Sequence, residues 1–370
     1  MRKIGYCAVA LALMSYCVCE GSSIPTTDPS LPAISWFHGD RYLWRNPFTW
    51  ERYDKLCKKL PAQQRQAFDN LMKLDLVPLD LAQGSDHPRL PYILAEPTRE
   101  RINIYATFPM IDYLDLYRAK IDDEDLPRLG PCVARSLTLP AKGISDGGVR
   151  KLLQMQEALP NLQHLEIEAT DKLTSNTLGA ISLRETRLRS LQLSGLGVNN
   201  DWIRAILDAK GIHGLRLYDT AVTDEDLAQL CRAERLTHLS LTYCRNLTSK
   251  GLKALKRLPQ LTELHLVGKT FDDAALEIVK DHPTVEILAL ESSSITPQGI
   301  KSLASMPRLR VLVILVARDD GVNNAAEEWQ KGDPGKRRLY LNPDVYLGGW
   351  VEGLVGQWVN LRGYLPTIMP

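Results

Sequence analysis

From residue 111 to about residue 320 one short pattern of apolar positions recurs. The phrase Leu236-Thr-His-Leu239-Ser-Leu241-Thr-Tyr-Cys244 puts leucine at relative positions 1, 4 and 6. The frame returns at Leu162/Leu165/Ile167, Leu188/Leu191/Leu193, Ile212/Leu215/Leu217, Leu261/Leu264/Leu266, Val285/Leu288/Leu290 and Leu309/Leu312/Ile314. Weaker copies stand at Ile111/Leu114/Leu116 and Ala134/Leu137/Leu139, so nine starts follow one another at steps of 23 to 28 residues. Alternation of side chains in a strand sends positions 4 and 6 one way and positions 3, 5 and 7 the other. Each copy therefore predicts a short strand with one apolar face.

A second signature follows each strand: an apolar residue, a polar pair, then a helical run. Examples are Ile121-Asp-Asp, Ile144-Ser-Asp, Leu173-Thr-Ser, Val198-Asn-Asn, Val222-Thr-Asp, Leu247-Thr-Ser, Phe271-Asp-Asp and Ile295-Thr-Pro. Ser, Thr, Asp and Asn at such a point accept hydrogen bonds from the orphan N–H groups of a first helical turn. Apolar spacing continues behind them, as in Leu227/Leu230 and Leu252/Leu255/Leu258. Each unit reads strand, turn, short helix.

One unit cannot bury its leucines alone, whereas stacked units share a continuous core. Parallel strands sit about 4.8 Å apart and helices about 10 Å apart, so the stack bends with its strands inside. On these residues the chain resembles the leucine-rich-repeat family over about residues 111–320. The unit of about 24–25 residues, opening its helix with Ile/Val-Thr-Asp-x-x-Leu, is similar to the cysteine-containing, F-box-associated subclass. Only the 236 copy carries the subclass cysteine, Cys244; Thr170, Leu196, Thr220, Lys269 and Ser293 stand elsewhere, so that hydrogen-bonded ladder should be partial. The resemblance implies an α/β class solenoid, strands inside and helices outside, with a cap at each end and a role in protein recognition.

The flanks complete the layout. Residues 1–21 carry Arg2 and Lys3, an apolar run over Ile4–Val18, then small residues, which is the order of a secretory signal peptide too short to span a bilayer comfortably. Export to a periplasmic, cell-envelope or secreted location is expected. Residues 22–35 form a proline-punctuated linker. Residues 36–110 hold an aromatic cluster from Trp36 to Tyr53, including Trp44 and Trp50, two expected helices at about 49–59 and 61–74, and a candidate strand at Arg101–Ala106. They read as the N-terminal cap, or else as an aromatic platform for a glycan. Residues 321–370 read as a degenerate last repeat closed by Arg338–Leu341, followed by a C-terminal cap in which Trp350, Leu354, Trp358 and Leu361 recur at helical spacing.

Charge narrows the partner. Removing Arg2, Lys3 and Glu20 from the 45 basic and 44 acidic residues leaves 43 of each. A balanced surface offers no electrostatic footprint for nucleic acid or anionic lipid. Cys57, Cys132, Cys231 and Cys244 stay beyond the signal without a C-x-x-C, too scattered for a zinc site, although Cys57 and Cys132 are placed to close the cap in an oxidising compartment. No phosphate-binding loop, H-E-x-x-H, G-x-S-x-G or dinucleotide fingerprint occurs, so neither catalysis nor a cofactor is expected. Glu263, His238 and His265 fall on adjoining strands, the nearest approach to a cation-binding set.

Positions 3, 5 and 7 form the face free for recognition. Its centre runs through Glu166, Gln192, Arg216, Tyr218, His238, Ser240, Thr242 and His265. Toward the C-terminal end it turns apolar at Ile287, Ala289, Val311, Val313 and Leu315, a patch too large to stand bare. Either the chain from about residue 335 or a partner is expected to cover it. The reading is an exported, non-enzymatic module that binds a protein through the strand face. The alternatives are a structural cell-envelope component or lipoprotein, and a glycan or cell-wall binder acting through the aromatic cluster.

Overall fold

A computed structural model describes residues 113–341 apart from 118, 156–157, 183–187, 315–319 and 334–335, together with 78–79, 92–93 and 102. The chain divides into two units, residues 1–58 and 59–370, and every described residue lies in the second. The signal segment, the linker, the aromatic cluster, the two expected N-terminal helices and the C-terminal cap beyond Leu341 lie outside the described residues.

All twelve described strands belong to one sheet, in chain order. β1 (Pro78–Leu79) pairs antiparallel with β2 (Tyr92–Ile93), and every later pairing is parallel. The remaining strands are β3 (Tyr113–Asp115), β4 (Ser136–Thr138), β5 (His164–Glu168), β6 (Ser190–Ser194), β7 (Gly214–Tyr218) and β8 (His238–Thr242). They are followed by β9 (Glu263–Val267), β10 (Ile287–Glu291), β11 (Val311–Ile314) and β12 (Arg338–Leu341). The nine repeat starts each deliver one strand, and β12 closes the degenerate last unit. Repetition of strand, turn and helix with an unbroken parallel sheet makes this a leucine-rich-repeat solenoid of the α/β class.

Register explains why the leucines recur. Leu114, Leu137, Leu165, Leu191, Leu215, Leu239, Leu264, Leu288 and Leu312 are paired in sequence across the sheet. None of them is more than 3% exposed. A one-residue slip would turn this whole ladder to the other face. The opposite wall of the core comes from helices α1 (Asp146–Gln154), α2 (Asn176–Ser182), α3 (Asn200–Asp208), α4 (Asp224–Leu230), α5 (Asp273–Val279), α6 (Pro297–Ser302) and α7 (Asp320–Lys331). They contribute Val149, Trp202, Ile206, Leu227, Leu276, Ile300 and Trp329, all buried.

The polar pairs cap as their chemistry requires. Ser145, Asn199, Thr223, Asp272 and Thr296 each accept a first-turn N–H, and Thr223 with Asp226 completes a reciprocal capping box. The second member of the pair has a role the sequence did not announce. Asp123, Asp146, Asp224 and Asp273 each reach the following repeat and accept both the N–H and the hydroxyl of the Ser or Thr that opens its outer segment. These are Ser145 (2.7 and 2.6 Å), Thr174 (2.8 and 2.5 Å), Thr248 (2.8 and 2.6 Å) and Thr296 (2.9 and 2.5 Å). Gly148, Gly251 and Gly299 sit where an added methyl would collide with these carboxylates. The outer layer is thus stitched from unit to unit.

Two sequence expectations are corrected. The segment after Leu247 is a 3-10 helix, Gly251–Arg257, rather than an α-helix. Its apolar residues recur at strict threes (252, 255, 258), which is the 3-10 period. Ile102 is helical and buried rather than part of a strand, and the strand beside the first repeat is Tyr92–Ile93. Cys132 is a buried thiol whose pKa burial pushes up to about 11, and Cys57, its expected partner, lies outside the described residues. The cysteine ladder is partial, as expected: Cys244 Sγ lies 3.4 Å from Thr220 Oγ1, a threonine standing where the preceding repeat lacks cysteine.

Candidate functional site

The face opposite the helices is built from strand positions 3, 5 and 7. Parallel register places Thr138, Glu166, Gln192, Arg216, Ser240, His265, Ala289 and Val313 in one central row. His164, Ser190, Gly214, His238, Glu263, Ile287 and Val311 line one side, and Glu168, Ser194, Tyr218, Thr242, Val267 and Glu291 the other. All eight residues expected to form the recognition surface share this wall.

They sort into three groups. Around Glu166, the Thr138 hydroxyl donates at 3.2 Å and the Gln192 amide donates to the other carboxylate oxygen. In the middle, the Arg216 guanidinium stands 5.6 Å from the Tyr218 ring centre. Tyr218 meets Tyr243 edge to face at 5.8 Å, and the Tyr243 hydroxyl donates to Glu291 at 3.2 Å. Farther along, buried Glu263 receives His265 Nε2 at 2.7 Å, and His238 Nε2 lies 3.4 Å from its other oxygen. Ser240 and Thr242 hydroxyls bond to each other at 3.0 Å. The Glu263 carboxylate is thus engaged by both histidines, and among the described residues no group of three such ligands is arranged to hold a metal.

Electrostatics follow burial. Desolvation lowers His164 to about pH 4, helped by the Arg135 cation, so this histidine is neutral near pH 7. Burial, then the nearby Glu291 carboxylate, pushes the Tyr243 phenol well above its ordinary value.

No family model matches the chain, and no curated protein matches it in sequence. Among solved structures, the Rad7–Elc1 complex in yeast is 19% identical over 73% of this chain and 78% of that one, with a TM-score of 0.44. The TLR13–ssRNA13 complex is 18% identical at a TM-score of 0.37, over 66% of this chain and 35% of that chain's length. Both likenesses are weak; the solenoid assignment stands on the repeat and the sheet register.

Exposure revises the picture of an open wall. Gln192, Arg216, Ser240, Thr242 and His265 are all buried, Arg216 to 7% exposure, while Glu166, Tyr218 and His238 are half-buried. The accessible part lies along the edge where the strands end. There Tyr117, Leu196 and Tyr243 are the exposed apolar side chains, Leu196 at 70%. Arg245 pairs with Asp219 at 3.5 Å beside them. Tyr243 was not anticipated from sequence. It occupies the first position after its strand with φ +53°, a left-handed setting that Asp219 also adopts and that glycine fills at Gly195 and Gly268. An aromatic residue at a slot that glycine takes in neighbouring repeats was the available signal.

Proposed function

We propose that this chain is an exported, non-enzymatic leucine-rich-repeat module that recognises a protein partner along its strand face, from the edge carrying Tyr218 and Tyr243. The observation that carries the reading is this aromatic pair, held edge to face on two adjoining repeats and flanked by Arg216, Glu291, Asp219 and Arg245. Aromatic and arginine side chains on rigid supports are the groups that dominate protein interfaces. Both signs of charge stand within the same cluster, which suits a polypeptide better than a polyanion. Export rests on the basic, apolar and small-residue order of residues 1–21. The Thr220–Cys244 contact and the Thr223-Asp224 helix opening support placing the repeats in the cysteine-containing subclass.

The test uses the full chain, expressed in and recovered from its own cells, against Tyr218→Ala/Tyr243→Ala. Wild type should retain a protein that the double variant loses, although the variant stays folded and is less stable by only about 1–2 kcal/mol. Retention of the same proteins with equal strength by the variant would remove this edge from consideration. Deleting residues 2–21 should keep the chain in the cytoplasm; unaltered export would contradict the signal reading.

A further inference from the structure

Ile287, Ala289, Val311 and Val313 form an apolar cluster on the strand face of β10 and β11, on the side away from the helices. Ala289 and Val313 are 0% exposed and Val311 is 7% exposed. Flanking strands about 4.8 Å away shield a side chain only from the sides. Complete burial of an alanine and a valine on the outer surface of a single sheet points to a layer above them.

We propose that this layer is the chain's own C-terminal segment, residues 342–370, folded back across β11 and β10. The last described strand ends at Leu341, paired with Ile314 at the end of β11, so the chain leaves the stack beside the patch. The 29 residues that follow Leu341 in this chain of 370 reach it easily. The patch is about 10 Å away, two strand intervals, whereas a helix of that length runs roughly 40 Å. The chemistry matches: Trp350, Leu354, Trp358 and Leu361 recur on one helical face, and Asp344, Glu352 and Arg362 are the only charged residues in the segment. The patch is also where this face changes from polar to aliphatic, since His265 and Glu263 on β9 give way to Ala289 and Ile287 on β10. A tail seated there covers the C-terminal end of the face and leaves the Tyr218–Tyr243 edge for a partner. The proposal does not depend on the identity of that partner.

Photo-crosslinking in the full-length protein tests it directly. A diazirine amino acid placed at Ile287, which is only partly buried, should couple to peptides from 342–370 of the same chain. Coupling to another segment, to a second copy or to a different protein would overturn the proposal, as would no coupling at all. A second measurement follows maleimide labelling of Ala289→Cys. The rate should be low in the intact chain and rise about tenfold in the Trp350→Ala/Trp358→Ala background. Fast labelling of the intact chain, or equal rates in the two backgrounds, refutes it.

Discussion

Asp146 offers the sharpest test of how the repeats are joined. Its carboxylate accepts the Thr174 amide at 2.8 Å, the Thr174 hydroxyl at 2.5 Å and the Thr177 hydroxyl, all from the next unit. Hydrogen bonds to a charged group contribute about 1.5–3 kcal/mol each, and partial exposure of this group argues for the lower end. Asp146 also opens helix α1, where a negative charge is worth about 0.5 kcal/mol. Asp146→Ala should therefore cost about 5 kcal/mol, and Asp146→Asn, which keeps one acceptor, about half of that. Asp201 supplies the control. It stands in the first turn of α3, but its side chain is 66% exposed and its ion pair with Arg204 spans 3.8 Å. Asp201→Ala should cost under about 0.5 kcal/mol. Urea midpoints at constant m-value read these differences, and hydrogen exchange should show the Thr174 amide losing protection first. Equal losses for Asp146→Ala and Asp201→Ala would mean that the aspartates act only on their own helices, and the inter-repeat stitch would be wrong.

Two further outcomes follow from the core and the face. Leu264 is 0% exposed between the ladder leucines of two repeats, so Leu264→Ala should lower unfolding free energy by about 2–5 kcal/mol; a midpoint within error of wild type would contradict the ladder. His164 has a folded pKa near 4 against about 6.5 unfolded, so between those values the unfolded state binds the extra proton. Its contribution is intact above pH 6.5 and falls progressively toward pH 4, by up to about 3 kcal/mol. His164→Gln should flatten that part of the stability–pH curve, and an unchanged slope would show that the histidine is charged in the fold.

The inner ladder was legible because its period is enforced twice, by alternation within each strand and by register between strands. Leu239 has no other place to go. Caps were legible for the same local reason: Thr223 and Asn199 act within three residues of themselves. What escaped the sequence lies at longer range. Asp146 looks like an ordinary first-turn acid, and only the neighbouring unit, 28 residues on, shows that it binds Thr174. Burial of Arg216 and His265 escaped for a related reason, because position 5 of a strand fixes which wall a side chain joins and says nothing about what crosses that wall. The 3-10 turn at Gly251–Arg257 was visible in the threes of Leu252, Leu255 and Leu258, a period easily merged with the helical one over so few residues.

Tyr243 joins backbone strain to recognition in a way that can be measured. A non-glycine residue in the left-handed region costs about 1–2 kcal/mol, and a bulky side chain is rare there. Its ring returns about 0.5–1.5 kcal/mol through the edge-to-face contact with Tyr218, and its hydroxyl a similar amount through Glu291. The two sides nearly cancel, so folding alone gives little reason for tyrosine over the glycine used at Gly195 and Gly268. Tyr243→Gly should then be close to neutral in stability, because strain and contacts leave together. Tyr243→Ala keeps the strain and loses the contacts, so it should be the less stable of the two by about 1 kcal/mol. Both should lose partner binding equally. If Tyr243→Ala is as stable as Tyr243→Gly, the left-handed backbone carries no cost. If either variant binds as wild type does, the tyrosine is not at this position for recognition.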